Sequence, residues 1–155
     1  MIEMMIRYIV LVSFLVSLTF YSNGQQKVEG SIMDNSKEYK IKIVIGKDTL
    51  TATLIDNATT RDFISLLPLN LKLADYAGTE KVSDLPKKLS TEDAPSGFDP
   101  SIGDITYYSP WENLAIFYKD FGYAKGLINL GKIDSGIELL KASNSLNARI
   151  ELINK

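Results

Sequence analysis

The residues of this sequence with the clearest binding chemistry are aromatic and polar residues on either side of Pro110. Tyr107, Trp111 and Asn113 lie there within seven positions of one another, and Trp111 is the only tryptophan of the chain. A turn usually holds small polar residues, so an indole at this position requires an explanation. Aromatic rings beside a side-chain amide suit a peptide segment or a small apolar ligand. We therefore expect an aromatic-lined groove that contains these residues.

The aromatic residues of this segment also have a structural interpretation. Successive side chains of a strand point to opposite faces, so at most one of Tyr107 and Tyr108 can line a given pocket. Trp111 can equally fasten its hairpin to the rest of the fold. About half of these aromatic residues are therefore expected in the core.

Two charged residues are further candidates for a ligand site. The Arg61 guanidinium can bind a carboxylate or a carbonyl through two N–H donors, but a helical arginine more often pairs with an acid. The acids available to it are Asp56, Asp62 and Glu80. Glu80 follows Gly78 closely and can present a carboxylate at the rim of a pocket, or it can be a solvated loop residue.

Two residue types on which many enzymes depend are missing. The chain has no cysteine and no histidine, which excludes disulfides, thiol catalysis and an imidazole base or metal ligand. Asp93, Asp99 and Asp104 lack the spacing of a calcium loop. The sequence also has no phosphate-binding glycine loop and no Gly-x-Ser-x-Gly elbow. We predict no catalytic residue, no metal and no cofactor.

Charge and hydropathy predict an exported protein that does not bind nucleic acid. The net charge is −2, and the basic residues form no block that could neutralise phosphates. Residues 8–21 are apolar and are followed by Ser22-Asn23-Gly24, as is typical of a secretory leader. A helix over this stretch would rise ~21 Å at ~1.5 Å per residue, less than a bilayer core of ~30 Å.

We therefore expect residues 1–24 to be a signal peptide, cleaved near Gly24, and the protein to be periplasmic or secreted. If the leader stayed uncleaved, it would be the point of attachment to a membrane. No pattern in the sequence sets an oligomeric state.

The rest of the chain is expected to hold an exposed lead-in over residues 25–37 and one domain over residues 38–155. Alternation of apolar and polar residues predicts strands at 39–45, 49–55, 69–75 and 127–133, on both sides of Pro110, and at 148–153. A short helix capped by Asn57 or Thr59 is predicted to run to Leu67 and to be ended by Pro68, and another is predicted at 134–142. A loop with one helical turn is predicted at 78–86, and a long polar loop at 90–103.

This pattern predicts a mainly β protein. Many short strands favour a closed antiparallel β-barrel with two short capping helices, because closure removes the exposed edges of a sheet. A sandwich of two sheets is the alternative.

Several separated motifs resemble the bacterial cyclophilin-like domain family. The similar segments are residues 54–63, 66–69, 76–81, 85–86, 103–108, 110–113 and 126–131. The resemblance extends from about residue 39 to residue 140 and implies the cyclophilin-type barrel of eight strands with capping helices.

The resemblance also raises the question of peptidyl-prolyl isomerase activity. Cyclophilins with this activity use a strand arginine, next to a histidine, to stabilise a twisted X-Pro bond. This chain lacks that Phe-His-Arg strand motif, and Arg61 falls in a predicted helix. The expected function is therefore non-catalytic binding of a peptide segment or small ligand; the alternative is an atypical isomerase that uses Arg61 or a tyrosine hydroxyl.

Overall fold

The computed structural model describes residues 37–153. Strands β1 to β10, in chain order, are Glu38–Ile45, Asp48–Ile55, Leu69–Tyr76, Glu80–Asp84, Gly97–Phe98, Asp104–Tyr108, Asn113–Phe117, Ala124–Lys125, Leu127–Ser135 and Ser145–Leu152. Helix α1 is Ala58–Ile64, and a 3-10 helix covers Ile137–Lys141. The predicted leader and nearly all of the predicted lead-in lie outside the described residues.

Eight of the strands form a closed antiparallel barrel in the order β1-β10-β3-β4-β7-β6-β9-β2. The barrel is closed at β1, because this strand pairs with β2 on one side and with the last strand, β10, on the other. The short strands β5 and β8 form a separate two-stranded sheet. The mainly β barrel predicted from alternation is confirmed, and the sandwich is excluded. Within residues 37–153, no helix has the length and apolar character needed to cross a membrane.

Inward-facing residues of the strands fill the barrel. Ile43 pairs with Leu50 on one side and with Ile150 on the other, and all three are at most 1% exposed. Burial of such side chains contributes about 1.5–3 kcal/mol each relative to their exposure to water. The interior is therefore a packed core, and a ligand site must lie on the outside of the barrel or at its ends.

Strand β7 is buried on both of its faces. Leu114 and Ile116 point into the main core, whereas Ala115 and Phe117 belong to a second apolar cluster with Leu127. This second cluster lies on the outer face, because neighbouring residues of a strand point in opposite directions. It forms the base of the candidate site.

The structure corrects the prediction of a loop with a helical turn at residues 78–86. Glu80–Asp84 is strand β4, which pairs with β3 on one side and β7 on the other. The pairing with β7 joins segments about thirty positions apart, so local sequence preference does not reveal it. Within this range, Gly78 and Thr79 before the strand and Leu85 and Pro86 after it lie outside strands and helices, as predicted.

The two predicted capping helices are one α-helix and one 3-10 helix. Helix α1 begins after Asn57, whose side chain accepts a hydrogen bond from the Thr60 nitrogen at 2.8 Å, as expected of an N-cap. It ends at Ile64, three residues earlier than predicted. The second segment forms only the 3-10 helix Ile137–Lys141, which follows Gly136 in a left-handed conformation.

Candidate functional site

A groove of about 240 Å³ lies over the outer face of β7. Its walls are mainly aromatic and apolar. The lining residues are Tyr76, Glu80, Tyr108, Trp111, Asn113, Ala115, Phe117, Phe121, Ala124 and Leu127. Three of the five residues proposed from the sequence, Glu80, Trp111 and Asn113, are therefore brought together here.

The shape of the groove follows from the register of β7 with its neighbours. Asn113, Ala115 and Phe117 are successive outward-facing residues of this strand. Phe117 stands opposite Glu80 on β4, and Asn113 stands opposite Tyr108 on β6. Ala115, between them, has only a methyl group, so a depression remains between larger side chains.

Three aromatic rings stand together at one side of the groove. The Trp111 ring meets the Tyr76 ring at 5.5 Å between centroids and 83° between planes. It meets the Tyr108 ring at 5.4 Å and 77°. Such edge-to-face pairs each contribute about 0.5–1.5 kcal/mol beyond their burial. These contacts hold the indole in place even though Trp111 is 55% exposed.

The turn that carries Trp111 packs closely against Gly126, which lies next to it in space. The nitrogen and the hydroxyl of Ser109 both donate to the Gly126 carbonyl, at 3.0 and 2.9 Å. Gly126 has φ +81°, and a Cβ atom there would stand 2.9 Å from Cδ of Pro110. The close approach of the turn therefore requires glycine at this position.

Glu80 is the only acidic residue that lines the groove. The structure gives its carboxyl group no hydrogen bond or ion pair with any residue of the range 37–153. Burial raises the pKa of Glu80 to about 7, because desolvation disfavours the charged form. Near neutral pH this carboxyl can accept hydrogen bonds when ionised and donate one when protonated.

Asn113 provides a second unpartnered polar group. Its side chain is almost fully buried, at 5% exposure, and its Oδ1 atom has no hydrogen-bond partner among the described residues. Buried polar side chains normally have a partner, and an orphaned one costs about 1–3 kcal/mol. Rotation about χ2 can present either the oxygen or the NH2 group of this amide to the groove.

Behind the groove, the next residue of β4 has the opposite environment. Lys81 is 1% exposed, and its Nζ atom donates to Asp75 Oδ1 at 2.9 Å and to the Ser143 carbonyl at 2.6 Å. The hydroxyl of Tyr118 also donates to Asp75. These bonds hold the pKa of Asp75 below its usual range, while burial and the bond to Asp75 raise the pKa of Tyr118 to about 12.

The structure places Tyr107 away from the groove, which corrects its assignment to the site. Tyr107 is fully buried in the main core, and its hydroxyl accepts a hydrogen bond from the Leu89 nitrogen at 3.2 Å. Because neighbouring residues alternate between faces, Tyr108 takes the place in the groove wall that Tyr107 was expected to occupy.

Arg61 also lies outside the groove. It pairs with Asp56 at 2.8 Å, one of its three predicted partners, and this bond lowers the pKa of Asp56. Arg61 lines a different pocket of about 330 Å³, together with Glu92 and Asn129. The five proposed residues therefore do not form one site, because helix α1 holds Arg61 elsewhere on the surface.

Sequence reasoning missed several groove residues: Tyr76, Ala115, Phe117, Phe121, Ala124 and Leu127. The spacing of Ala115 and Phe117 from Asn113 was a usable signal, because residues two apart on a strand share a face. Tyr76 and Phe121 come from segments whose position depends on the pairing of β3, β4 and β7, and no local pattern marks them.

Other surface features have weaker claims to function. A hollow of about 530 Å³ beside β1, β3 and β10 is lined by polar residues such as Asn70, Lys72 and Asn147. Arg149, in the same hollow, is already paired with Glu151. In residues 37–153, no group of three acidic residues is placed to hold a metal ion.

The fold defines a class of small domains built on a closed antiparallel β-barrel. Comparison with family models agrees with this class. Residues 43–151 match the model described as the Cyclophilin-like family, and the chain belongs to this family.

Among solved structures, the chain is similar to the solution structure of the hypothetical protein AF2241 from Archaeoglobus fulgidus. The two share 14% sequence identity with a TM-score of 0.62, over 79% of this chain and 100% of the other. At this identity the similarity concerns the fold alone. No curated protein matches the sequence.

Proposed function

We propose that this protein is a non-catalytic, exported binding module that holds a peptide segment or a small ligand in the aromatic groove. The observation that carries the proposal is the pair of unpartnered polar groups in an apolar site. Glu80 and Asn113 both face the groove, and the described residues offer neither a partner. A bound ligand with polar atoms would satisfy them and cover the exposed rings.

The size of the groove favours one side chain of a peptide, or a ligand of similar size. At about 240 Å³ it lies below the range of ~300–1,000 Å³ typical of pockets for whole drug-sized molecules. It opens onto the surface, where Trp111 and Phe121 are more than half exposed. A longer chain can therefore continue beyond the groove.

The arrangement of charged groups favours binding over prolyl isomerisation. Rotation about a peptide bond has a barrier of ~18–20 kcal/mol, and isomerases of this fold lower it with an arginine beside the bound proline. Neither arginine nor lysine lines this groove, and Arg61 is engaged with Asp56 elsewhere. The periplasmic or secreted location is part of the proposal and rests on the apolar stretch at residues 8–21.

The sole tryptophan makes the groove directly observable. We would titrate the protein, expressed as its full chain, with blocked tripeptides Gly-Xaa-Gly in which Xaa is apolar, proline, acidic or basic. Tryptophan fluorescence and the amide NMR signals of β7 would report binding. At least one class of peptide is expected to shift both signals, and Trp111→Ala is expected to weaken its binding by about tenfold or more.

A matched control is Ile55→Ala, which removes another exposed apolar side chain, at 42% exposure, outside the groove. This variant should bind as the wild-type protein does. A second variant, Ala115→Leu, fills the floor of the groove and should block binding. If no peptide moves the signals of β7, or if the filled variant binds normally, the groove is not the binding site.

A further inference from the structure

We propose that the ligand of the groove is a basic peptide segment whose lysine or arginine side chain enters it. This inference rests on the proposed binding function and names the chemistry of its ligand. It follows from three features of the groove: its charge, its rings and its shape.

The charge of the groove is that of a single carboxylate. Among the ten lining residues, Glu80 is the only one with a carboxyl group, and none is a lysine or arginine. The nearest lysine in sequence, Lys81, is bound to Asp75 and the Ser143 carbonyl behind the groove. A partly buried carboxylate without a partner favours a cation supplied by the ligand.

The aromatic rings add to the attraction for a cation. The faces of Trp and Tyr rings are negative, and an ammonium or guanidinium group within ~6 Å of a ring centroid is stabilised, most strongly by Trp. Here Trp111 is set nearly perpendicular to both Tyr76 and Tyr108. Rings in different planes together with one carboxylate form a partial cage suited to a cation.

The shape of the groove fits a charged group on an alkyl stem. The floor at Ala115 and Leu127 is apolar, and lysine and arginine side chains pack their methylene groups on such surfaces while the charged end reaches a polar group. Asn113 is then available to the charged end or to the peptide backbone.

Other ligand types fit less well. An acidic side chain would meet the Glu80 carboxylate, and like charges in a desolvated site repel. A purely apolar side chain would leave both Glu80 and Asn113 unpaired and remove them further from water. A cationic side chain is the class that satisfies both polar groups of the groove.

The test compares charged side chains with neutral side chains of similar shape. The probes are blocked tripeptides in which Xaa is lysine or norleucine, and a second pair in which Xaa is arginine or citrulline. At pH 8.5 the lysine and arginine peptides are expected to bind about tenfold more tightly than their neutral counterparts. NMR titration of the signals of Ala115 and Phe117 measures this preference.

The preference for charged over neutral peptides is expected to depend on whether the carboxyl group of Glu80 is ionised. At pH 5.5, where Glu80 with its pKa of about 7 is protonated, the ratio should fall to about twofold or less. Other titratable groups close to it are Tyr76, Tyr108 and Tyr118 and the paired Lys81.

Two variants separate the site from a general effect of charge. Glu80→Gln should lower the preference at pH 8.5 to about twofold or less, the part that the aromatic rings provide, whereas Glu92→Gln makes the same change in net charge outside the groove and should leave the tenfold preference intact. Equal binding of the charged and neutral peptides in the groove would overturn this inference while the binding function stands. If none of the four peptides moves the NMR signals of the groove, this inference is wrong as well. The Gly-Xaa-Gly peptides with apolar, proline and acidic Xaa then test the binding function separately.

Discussion

The Nζ atom of Lys81 lies 2.9 Å from Oδ1 of Asp75, inside a barrel wall where the lysine is only 1% exposed. The neighbouring residue on the same strand, Glu80, has no partner of opposite charge among residues 37–153. Strand β4 thus carries one charge that is fully satisfied and, on its other face, one that is not. The first charge contributes to the stability of the fold, and the ligand proposed above would provide a partner for the second.

Replacing Lys81 by methionine is expected to lower the stability of the fold. The methionine fills a similar volume, but Asp75 loses its cation and the Ser143 carbonyl loses its donor, and a broken buried pair is costly. We expect the midpoint of thermal unfolding, followed by circular dichroism, to fall by several degrees.

The control for this change is Lys47→Met in the turn between β1 and β2, where the lysine is exposed. Its midpoint should remain close to that of the wild-type protein. If both variants unfold at the wild-type temperature, the buried pair contributes nothing to stability.

Replacing Glu80 by glutamine is expected to stabilise the protein at alkaline pH. The pKa of Glu80 is raised from 4.5 to about 7, so its favourable contribution is complete below pH 4.5 and is lost as the pH rises through 7. The variant has no such loss. At ~1.4 kcal/mol per pKa unit the difference reaches at most about 3–4 kcal/mol well above pH 7.

Denaturant unfolding at pH 4.5 and pH 8.5 measures this difference. The wild-type protein and Glu80→Gln should be nearly equally stable at the lower pH, with the variant more stable at the higher pH. A difference that is the same at both values would mean that the carboxyl of Glu80 titrates normally. A stabilising substitution at a binding residue is the usual sign that function, and not folding, accounts for that residue.

The barrel could be predicted from the sequence because several of its elements are marked by patterns within a short stretch of the chain. The alternation in β1 and β2 and the turn between them fix a hairpin, and Asn57 marks the start of α1. Strand β4 was missed because its identity depends on pairing with β7, more than thirty positions away at Glu80 and Phe117.

The site was predicted less completely, for a related reason. All five residues of β7 are buried, so hydrophobicity alone does not show which of its faces points into the barrel. For a similar reason, the sequence analysis placed Tyr107 in the groove wall, where the structure has Tyr108. Arg61 was grouped with the groove although only the position of helix α1 could decide its place.

Replacing Gly126 by alanine is expected to disturb the groove more than the barrel. A Cβ atom at this position would lie 2.9 Å from Cδ and 3.0 Å from Cγ of Pro110, and φ of +81° is unfavourable for alanine. The turn that carries Trp111 must then shift. We expect weaker binding of whichever peptide occupies the groove and a changed emission maximum of the sole tryptophan.

A suitable control is Gly122→Ala, since a Cβ atom at Gly122 meets no atom within 4 Å and its φ is not in the left-handed region. This variant should keep the wild-type emission and affinity. Unchanged fluorescence and binding in Gly126→Ala would show that the turn does not depend on the close approach to residue 126.

Prolyl isomerase activity is expected to be absent. Isomerases of the cyclophilin fold use an arginine beside the proline nitrogen, and the groove contains no guanidinium group. Arg61 is held at 2.8 Å from Asp56, and its pocket is separate from the aromatic groove. In a protease-coupled assay with a proline-containing peptide, the rate should equal that of buffer, and Arg61→Ala should have no effect on it. An acceleration that disappears in Arg61→Ala would assign isomerase activity to the pocket beside α1, whereas one lost only in Trp111→Ala would assign it to the groove.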